Sequence, residues 1–570
     1  MKKKVCIVLF LVAIVTLSIL KQLLVYDLPI AANVALGIDD ALMISMTKSI
    51  TENNWIGDYG DAVISKGVTF PLILALSYFL KVDYISFITI LFTVSCFCLV
   101  LVLSKKIKNK LALFLIFSIT LFTPIMYSYQ VMQRVYRNAL IPSFAIMIIS
   151  GYLYLFLSRN EEKYIKRIII SILTGIVLAL FWYTREDSIW MIPFIIFISA
   201  ATVFSILIES RKITKNFLKT LLIILIPIIV VLGYKNIICY QNLKHFGVYT
   251  VYNNEAYKKA MKSLKEVKKY YYYDNIDITT TKLQKISQVS GALANIYPRL
   301  IELVYGYSLI DSSPENGEVV NGWFPWALKG AMSEKGYYLD ARKTNDFYNT
   351  LHVEIQNGLK NGTLEREDVK PDIVKELNKL FYWAGQTFKT LYKYDDITFY
   401  AVTSNYDAGF DTKYKEFAEF TGNKFIVYEN DESIIEKYFE NVDNYENEIK
   451  FKVEIINKLI NIYRVLNAIV FSIGVILYVI FSIITIIQIF KKKFHNLEMW
   501  IVISGIVGAM LSLVFGIAYE TAFNANVITA MYLSAAYPLM LIFGMTMIVY
   551  AYNKCVEYLK NKNTEINNEN

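Results

Sequence analysis

Two blocks of long apolar runs flank one long polar block in this chain. A helix needs about 17 to 25 apolar residues to cross the hydrocarbon core of a bilayer. Ten runs meet that length, at approximately 5–25, 84–103, 111–127, 139–157, 168–184, 189–208, 217–240, 465–490, 499–518 and 527–552. A shorter apolar run at 68–80 fits an interfacial helix better than a span. Within the polar block, helical spacing of apolar positions predicts helices over 254–273, 279–304 and 346–359. Short β-rich runs fall at 397–403 and 424–428. The expected fold is an α-helical polytopic membrane protein with about ten transmembrane helices and a large, mostly helical α+β outer domain.

Charge sets the expected orientation. Lys and Arg collect at Lys2–Lys4, at Lys105, Lys106, Lys108 and Lys110, at Arg159, Lys163, Lys166 and Arg167, at Arg211, Lys212 and Lys215, and at Lys491–Lys493. Cytoplasmic loops carry such an excess, and these clusters fall in every second loop. An even number of spans then leaves both termini in the cytoplasm. The expected parts are an N-terminal transmembrane module, 1–240, with an acidic first outer loop at 26–83; an extracytoplasmic domain, 241–457; C-terminal transmembrane helices, 458–553; and a cytoplasmic tail, 554–570. The basic, then apolar, start of the chain also fits a signal peptide, but the many later spans favour an uncleaved anchor.

Composition narrows the chemistry. The chain is 55% hydrophobic with a mean hydropathy of +0.40, and its net charge of +9 is spread among short clusters beside apolar runs. That placement suits membrane anchoring rather than nucleic-acid binding. Cys6, Cys96, Cys98, Cys239 and Cys555 lie in or beside apolar segments and imply no disulfide framework. His245, His352 and His495 lack zinc-type spacing. No phosphate-binding loop and no dinucleotide fingerprint is present. A group transfer on the outer face would need a pre-activated donor, and a lipid phosphate is one that a multi-span protein can reach.

The acidic pair in Gly37-Ile38-Asp39-Asp40 follows the first span, and Ser65-Lys66-Gly67-Val68-Thr69-Phe70-Pro71 comes later in the same loop. Ionisable groups so near a bilayer are expensive to place and mark a functional site by default. This loop resembles the acidic motif and the K-G-x-x-Y/F-P segment of the GT-C glycosyltransferases, multi-span enzymes that use polyprenyl-phosphate sugars. The resemblance covers roughly residues 1–240, and many members have Asp-Glu where this chain has Asp39-Asp40. It implies a polyprenyl-phosphate-linked sugar as donor, a cell-envelope glycan, lipid or protein as acceptor, and a place in the bacterial cytoplasmic membrane.

A carboxylate can take the proton of an attacking hydroxyl, and Asp39 is the candidate base. Asp40 has three open roles: orienting that base, binding the acceptor, or holding a divalent ion, the one cofactor left open. Both could instead cap the helix that follows. Lys66 is a candidate for binding or orienting the acceptor. A departing phosphate needs fixed positive charge, which arginine supplies as a planar fork. Arg134 and Arg137, in the outer loop 130–138, run against the positive-inside trend and are candidates for phosphate contact or for lipid headgroups.

Arg185 joins them from Trp182-Tyr183-Thr184-Arg185-Glu186-Asp187, where Glu186 and Asp187 could bind the acceptor or merely pair with it. The aromatic segments Asn321–Trp326 and Tyr270–Tyr273 suit core packing more than sugar stacking. Glu520 is a further polar residue at a span end. Two other readings stand beside the enzyme. A lipid-linked sugar flippase would place charges deep in several helices, and a non-catalytic envelope-binding protein would tolerate loss of Asp39.

Overall fold

The computed structural model describes residues 2–31, 38–162, 164–210, 215–252, 255–270, 275–309, 317–368, 372–399, 403–405, 412–423, 425–427 and 442–569. Among them nine helices are long and apolar enough to cross a membrane: Val5–Val25, Tyr84–Leu103, Arg137–Leu157, Tyr164–Trp182, Ser188–Glu209, Asn216–Phe246, Ile449–Phe490, Leu497–Phe523 and Ala536–Leu559. The chain is a multi-pass helical membrane protein, as the apolar runs predict.

The run at 111–127 folds differently from a single span. Helix Lys110–Leu121 stops after 12 residues, about 18 Å at 1.5 Å per residue, well short of the roughly 30 Å core. Pro124 explains the stop, because a proline pushes the residue before it out of the helical region, and Thr123 is extended there with ψ 133°. The chain continues through short turns, Pro124–Tyr127 and Tyr129–Gln133, in which Ile125, Met126, Tyr127, Val131, Met132 and Gln133 are buried. Non-helical backbone survives at membrane depth when protein surrounds it. This broken segment delivers Arg134 to the far end of the bundle.

Ion pairs gather at both ends of the bundle. At one end Lys105 pairs with Glu161 at 2.5 Å, Arg159 with Glu498 at 2.5 Å and with Glu209, and Lys106 with Glu498. Helix Tyr84–Leu103 runs from there to the acidic loop, where the Tyr84 hydroxyl donates to the Arg134 carbonyl at 2.7 Å.

The polar block has its own core, built by Leu264, Leu283, Leu293, Ile296, Leu300, Leu351 and Ile355. Its helices include Glu255–Glu266, Thr280–Ser287, Gly291–Ser308, Phe324–Glu334 and Ala341–Lys360. The predicted helix at 279–304 divides in two because Thr279 and Ser290 each cap a new start, accepting from the N–H groups of Lys282 and Leu293. The flanking helices Lys215–Phe246 and Val442–Phe490 run continuously through positions 240 and 457 into this block.

Three short strands tie the parts together: β1 (Ile30–Ala31), β2 (Thr403–Asn405) and β3 (Phe425–Val427), in the order β1-β3-β2. Strand β1 pairs in parallel with β3, Ile30 opposite Ile426, and β2 pairs antiparallel with β3, Ser404 opposite Ile426. Ala31 also bridges to Arg134. The first loop, the arginine loop and the polar block therefore meet at one small sheet.

Candidate active site

Helix Ile38–Thr51 opens on the acidic pair, with Asp39 and Asp40 in its first turn. Unpaired N–H groups and the positive end of the helix favour carboxylates there. Successive side chains on a helix point about 100° apart, so the two carboxylates diverge. Asp40 turns inward and is 2% exposed, whereas the Asp39 side chain keeps 35% of its surface.

Each carboxylate has its own cation. Lys66 Nζ lies 2.9 Å from Asp39 Oδ1. Arg134 donates from Nε to both Asp40 oxygens at 2.8 and 3.0 Å, and its second terminal nitrogen lies 2.7 Å from Oδ1. Arg137 donates to both oxygens of Glu186 at 2.9 and 3.0 Å and to the Thr184 carbonyl at 3.2 Å. Arg185 holds Asp187 through Nε at 2.8 Å and a terminal nitrogen at 2.5 Å. The eight candidate residues are thus four ion pairs.

Tyr136 joins three of them. Its hydroxyl donates to Asp39 Oδ2 at 3.0 Å and accepts from Arg137 at 2.9 Å and from Lys66 at 3.4 Å. Its ring lies 4.6 Å from the Arg134 guanidinium and 5.0 Å from that of Arg137. The fourth pair is tied in by Asn138, whose side-chain oxygen accepts from Arg185. Tyr532 lies beneath Arg185 at 4.7 Å, and Met531 Sδ lies 3.1 Å from Arg134. No role was read for these four residues in the sequence. Only Tyr136 carried a signal, an aromatic residue set between two arginines.

Close backbone packing brings the lysine loop to the arginine turn. A side-chain carbon on Gly67 would lie 2.1 Å from the Tyr183 carbonyl oxygen, so the site needs the residue without one. The polar block adds Trp326 and Lys329. The Trp326 ring lies 5.0 Å from both the Lys66 and the Lys329 ammonium, and Lys329 donates to Ser65 Oγ at 2.5 Å. Trp326 thus faces two cations. Glu520 instead accepts from Asn524 at 2.9 Å. Gly37 and Tyr271–Tyr273 lie outside the described residues.

The environments push the neighbouring carboxyls apart. Burial works to raise the Asp39 carboxyl, but the Lys66 ammonium and the Tyr136 hydroxyl outweigh it and hold the group below its ordinary value. Burial raises the Asp40 carboxyl, with Arg134 working against it. Burial also lowers Lys329 to about 8, helped by nearby Lys66. Adjacent acids driven in opposite directions divide their roles, here an accessible, ionised Asp39 and an enclosed Asp40.

The pair's oxygens are occupied by cations and a hydroxyl. Both Asp40 oxygens lie on a guanidinium and both Asp39 oxygens are engaged. Among the described residues no group of three or more His, Cys, Asp or Glu side chains is placed to hold a metal.

The fold and the site define a multi-pass membrane protein with a paired acidic and basic cluster at one end of its bundle. No protein-family model and no curated protein matches the chain. Among solved structures it is similar to the archaeal oligosaccharyltransferase AglB from Archaeoglobus fulgidus, in complex with an inhibitory peptide and a dolichol-phosphate. The identity is 8% and the TM-score 0.37, over 97% of this chain and 52% of that one. It is also similar to ArnT from Cupriavidus metallidurans bound to undecaprenyl phosphate, at 9% identity and a TM-score of 0.31, over 95% of this chain and 78% of that one. Both are GT-C glycosyltransferases. The chain spans about half the length of the AglB chain.

Proposed function

We propose that the protein is an inverting membrane glycosyltransferase of the GT-C kind. It moves a sugar from a polyprenyl-phosphate donor to a hydroxyl on a cell-envelope glycan, lipid or protein, at the outer face of a bacterial cytoplasmic membrane. The clusters of Lys and Arg at the opposite end of the bundle support that orientation. One observation carries the reading: Asp39, ionised and open to solvent, is two hydrogen bonds from Arg137 through the Tyr136 hydroxyl.

In this mechanism the acceptor oxygen attacks the anomeric carbon from the face opposite the phosphate, and its proton passes to Asp39. The new C–O bond forms as the bond to the phosphate oxygen breaks, and the polyprenyl phosphate leaves with that electron pair. Lys66 holds Asp39 in its charged form and orients it toward the acceptor. Arg137 and Arg185 meet the phosphate, while Arg134 adds to the field from its fixed place on Asp40. Glu186 and Asp187 pair those arginines until a donor arrives and then face the acceptor. Trp326 and Lys329 bring the polar block to the acceptor side.

The test is transfer of labelled sugar from a mixed polyprenyl-phosphate-sugar pool into envelope material. Membranes with wild type are compared with membranes holding equal amounts of Asp39→Asn. Transfer that collapses in the variant supports the assignment, and equal transfer removes Asp39 from the mechanism.

A further inference from the structure

Helix Ile373–Lys393 belongs to the polar block by sequence, yet it packs on the bundle. The Phe381 ring lies 6.0 Å from Phe515 of span Leu497–Phe523. Farther along, the Phe388 ring lies 5.4 Å from Phe471 of span Ile449–Phe490, and the Tyr392 hydroxyl shares a 3.0 Å hydrogen bond with Ser472. Ala384, Thr387 and Leu391 are buried on this side.

The partners fix the depth. Arg464 is the last charge before an uninterrupted uncharged run to Phe490, and Phe471 lies seven residues into that run, about 10 Å at 1.5 Å per residue. Phe515 lies five residues inside Glu520, about 8 Å by the same measure. Amphipathic helices that lie in the membrane plane bury their apolar side about 5–10 Å into the boundary between headgroups and acyl chains.

The first half of the helix runs past the protein with its apolar side open. Ile373, Val374, Leu377, Phe381 and Tyr382 are all exposed and fall within one half of the helix circumference, in line with buried Ala384 and Leu391. Lys375, Glu376 and Lys379 lie on the other half. The open stripe is continuous with exposed Phe515 and Tyr519 of the adjoining span, a surface that already faces lipid if that helix crosses the membrane.

We infer that helix Ile373–Lys393 is an interfacial membrane helix whose stripe of Ile373, Val374, Leu377, Phe381 and Tyr382 lies among the acyl chains of the leaflet beside the active-site end of the bundle. The chain leaving this helix ties it to the site: Asp396 accepts from the Ala530 N–H, and the Thr398 carbonyl accepts from the Tyr129 N–H at 2.8 Å. A helix seated in lipid therefore steadies the loops that carry Arg134 and Tyr532.

The unaltered full chain is placed in lipid nanodiscs with a phospholipid carrying a photoreactive group in its acyl chain, and labelled peptides are mapped by mass spectrometry. Labelling at 373–382 together with 511–519 is expected. Labelling at 511–519 without 373–382 overturns the inference. A second measurement places single spin labels along the helix in a chain carrying Cys6→Ser, Cys98→Ser and Cys555→Ser. The stripe positions should be more accessible to oxygen than to a water-soluble nickel complex, with positions 375 and 376 showing the reverse. Higher nickel access along the stripe overturns the inference in favour of water. Low access to both reagents with dipolar coupling between labelled chains overturns it in favour of a second copy.

Discussion

Asn substituted at either member of the acidic pair removes one charge and almost no volume, yet the two variants should fail in different ways. Asp40 is enclosed with Arg134. Removing one partner of a buried ion pair costs roughly 3–5 kcal/mol, because the other charge is left without compensation. Arg134 keeps 26% of its side-chain surface and rests 4.6 Å from the Tyr136 ring, which places Asp40→Asn near the lower figure, about 3 kcal/mol. That is about a hundredfold in the folded population. Asp39 is more than a third exposed, so its pair with Lys66 contributes under about 1 kcal/mol. Its loss as a base should instead reduce transfer by about 10²–10⁴-fold.

The assay has two parts. Detergent-solubilised variants are heated in steps and the monodisperse fraction is measured by size-exclusion chromatography, while sugar transfer is measured in membranes at matched amounts of folded protein. Asp39→Asn should elute like wild type and transfer little. Asp40→Asn should lose its monodisperse fraction early, and Asp40→Asn with Arg134→Met should recover part of it. The pH dependence follows the same division. The Asp39 carboxyl is held below its ordinary value, so the stabilisation this provides is present above that ordinary value, about 3.9, and fades as pH falls through the lower, folded value. Transfer should therefore show no acid limb from Asp39 between pH 5 and 7. Asp40→Asn as heat-resistant as wild type, or Asp39→Asn as fragile as Asp40→Asn, would refute the division of roles.

Tyr136→Phe deletes a hydroxyl bonded to three charged groups. Such bonds are each worth about 1.5–3 kcal/mol, so transfer should drop about tenfold or more with little change in elution. Gly67→Ala drives a methyl group into the Tyr183 carbonyl; overpacking of this kind costs about 1–3 kcal/mol, and transfer should fall further than heat resistance does. Glu186→Gln frees Arg137 from an exposed partner, so polyprenyl phosphate should bind more tightly, as read by displacement of a fluorescent lipid phosphate. Lys329, lowered to about 8 by burial and by Lys66, gives up its charge as pH rises through that value. The acceptor KM should therefore climb above about pH 8 in wild type and be raised but flat with pH in Lys329→Met.

Hydropathy located the spans because a membrane helix must keep its apolar residues in one long run, and that pattern is local. It misjudged 111–127 for the same reason, since an apolar count ignores what Pro124 does to the backbone of Thr123. The charged loops were legible through their opposition to the positive-inside trend. Their pairing was not. Arg134 meets a carboxylate 94 positions away, and it does so because the broken segment and the bridge from Ala31 set its place. Tyr136 carried a partial signal, since extended backbone puts Arg134 and Tyr136 on one side, but two of its hydroxyl's three partners, Asp39 and Lys66, come from the first loop. Trp326 was legible only as one of a run of aromatic residues suited to core packing, and Lys329 carried no signal, because only tertiary packing brings that helix against Ser65 and Lys66.

The four pairs also limit how a donor could bind. Every arginine found by its position against the positive-inside trend already faces an acid, so for a phosphate to reach one of these arginines an acid has to yield. Asp40 is 2% exposed and closed in by its arginine. Leaving the pair would strand Arg134 at the cost of a broken buried pair. Glu186 and Asp187 keep 46% and 43% of their side-chain surface, so water takes over their hydration as they swing away, while the incoming phosphate compensates the buried arginines they leave. In the proposed mechanism the exchange therefore falls on Arg137 and Arg185. Of these, Arg137 is the one that shares the Tyr136 hydroxyl with Asp39, so in the proposed mechanism one side chain links the group that meets the phosphate to the base.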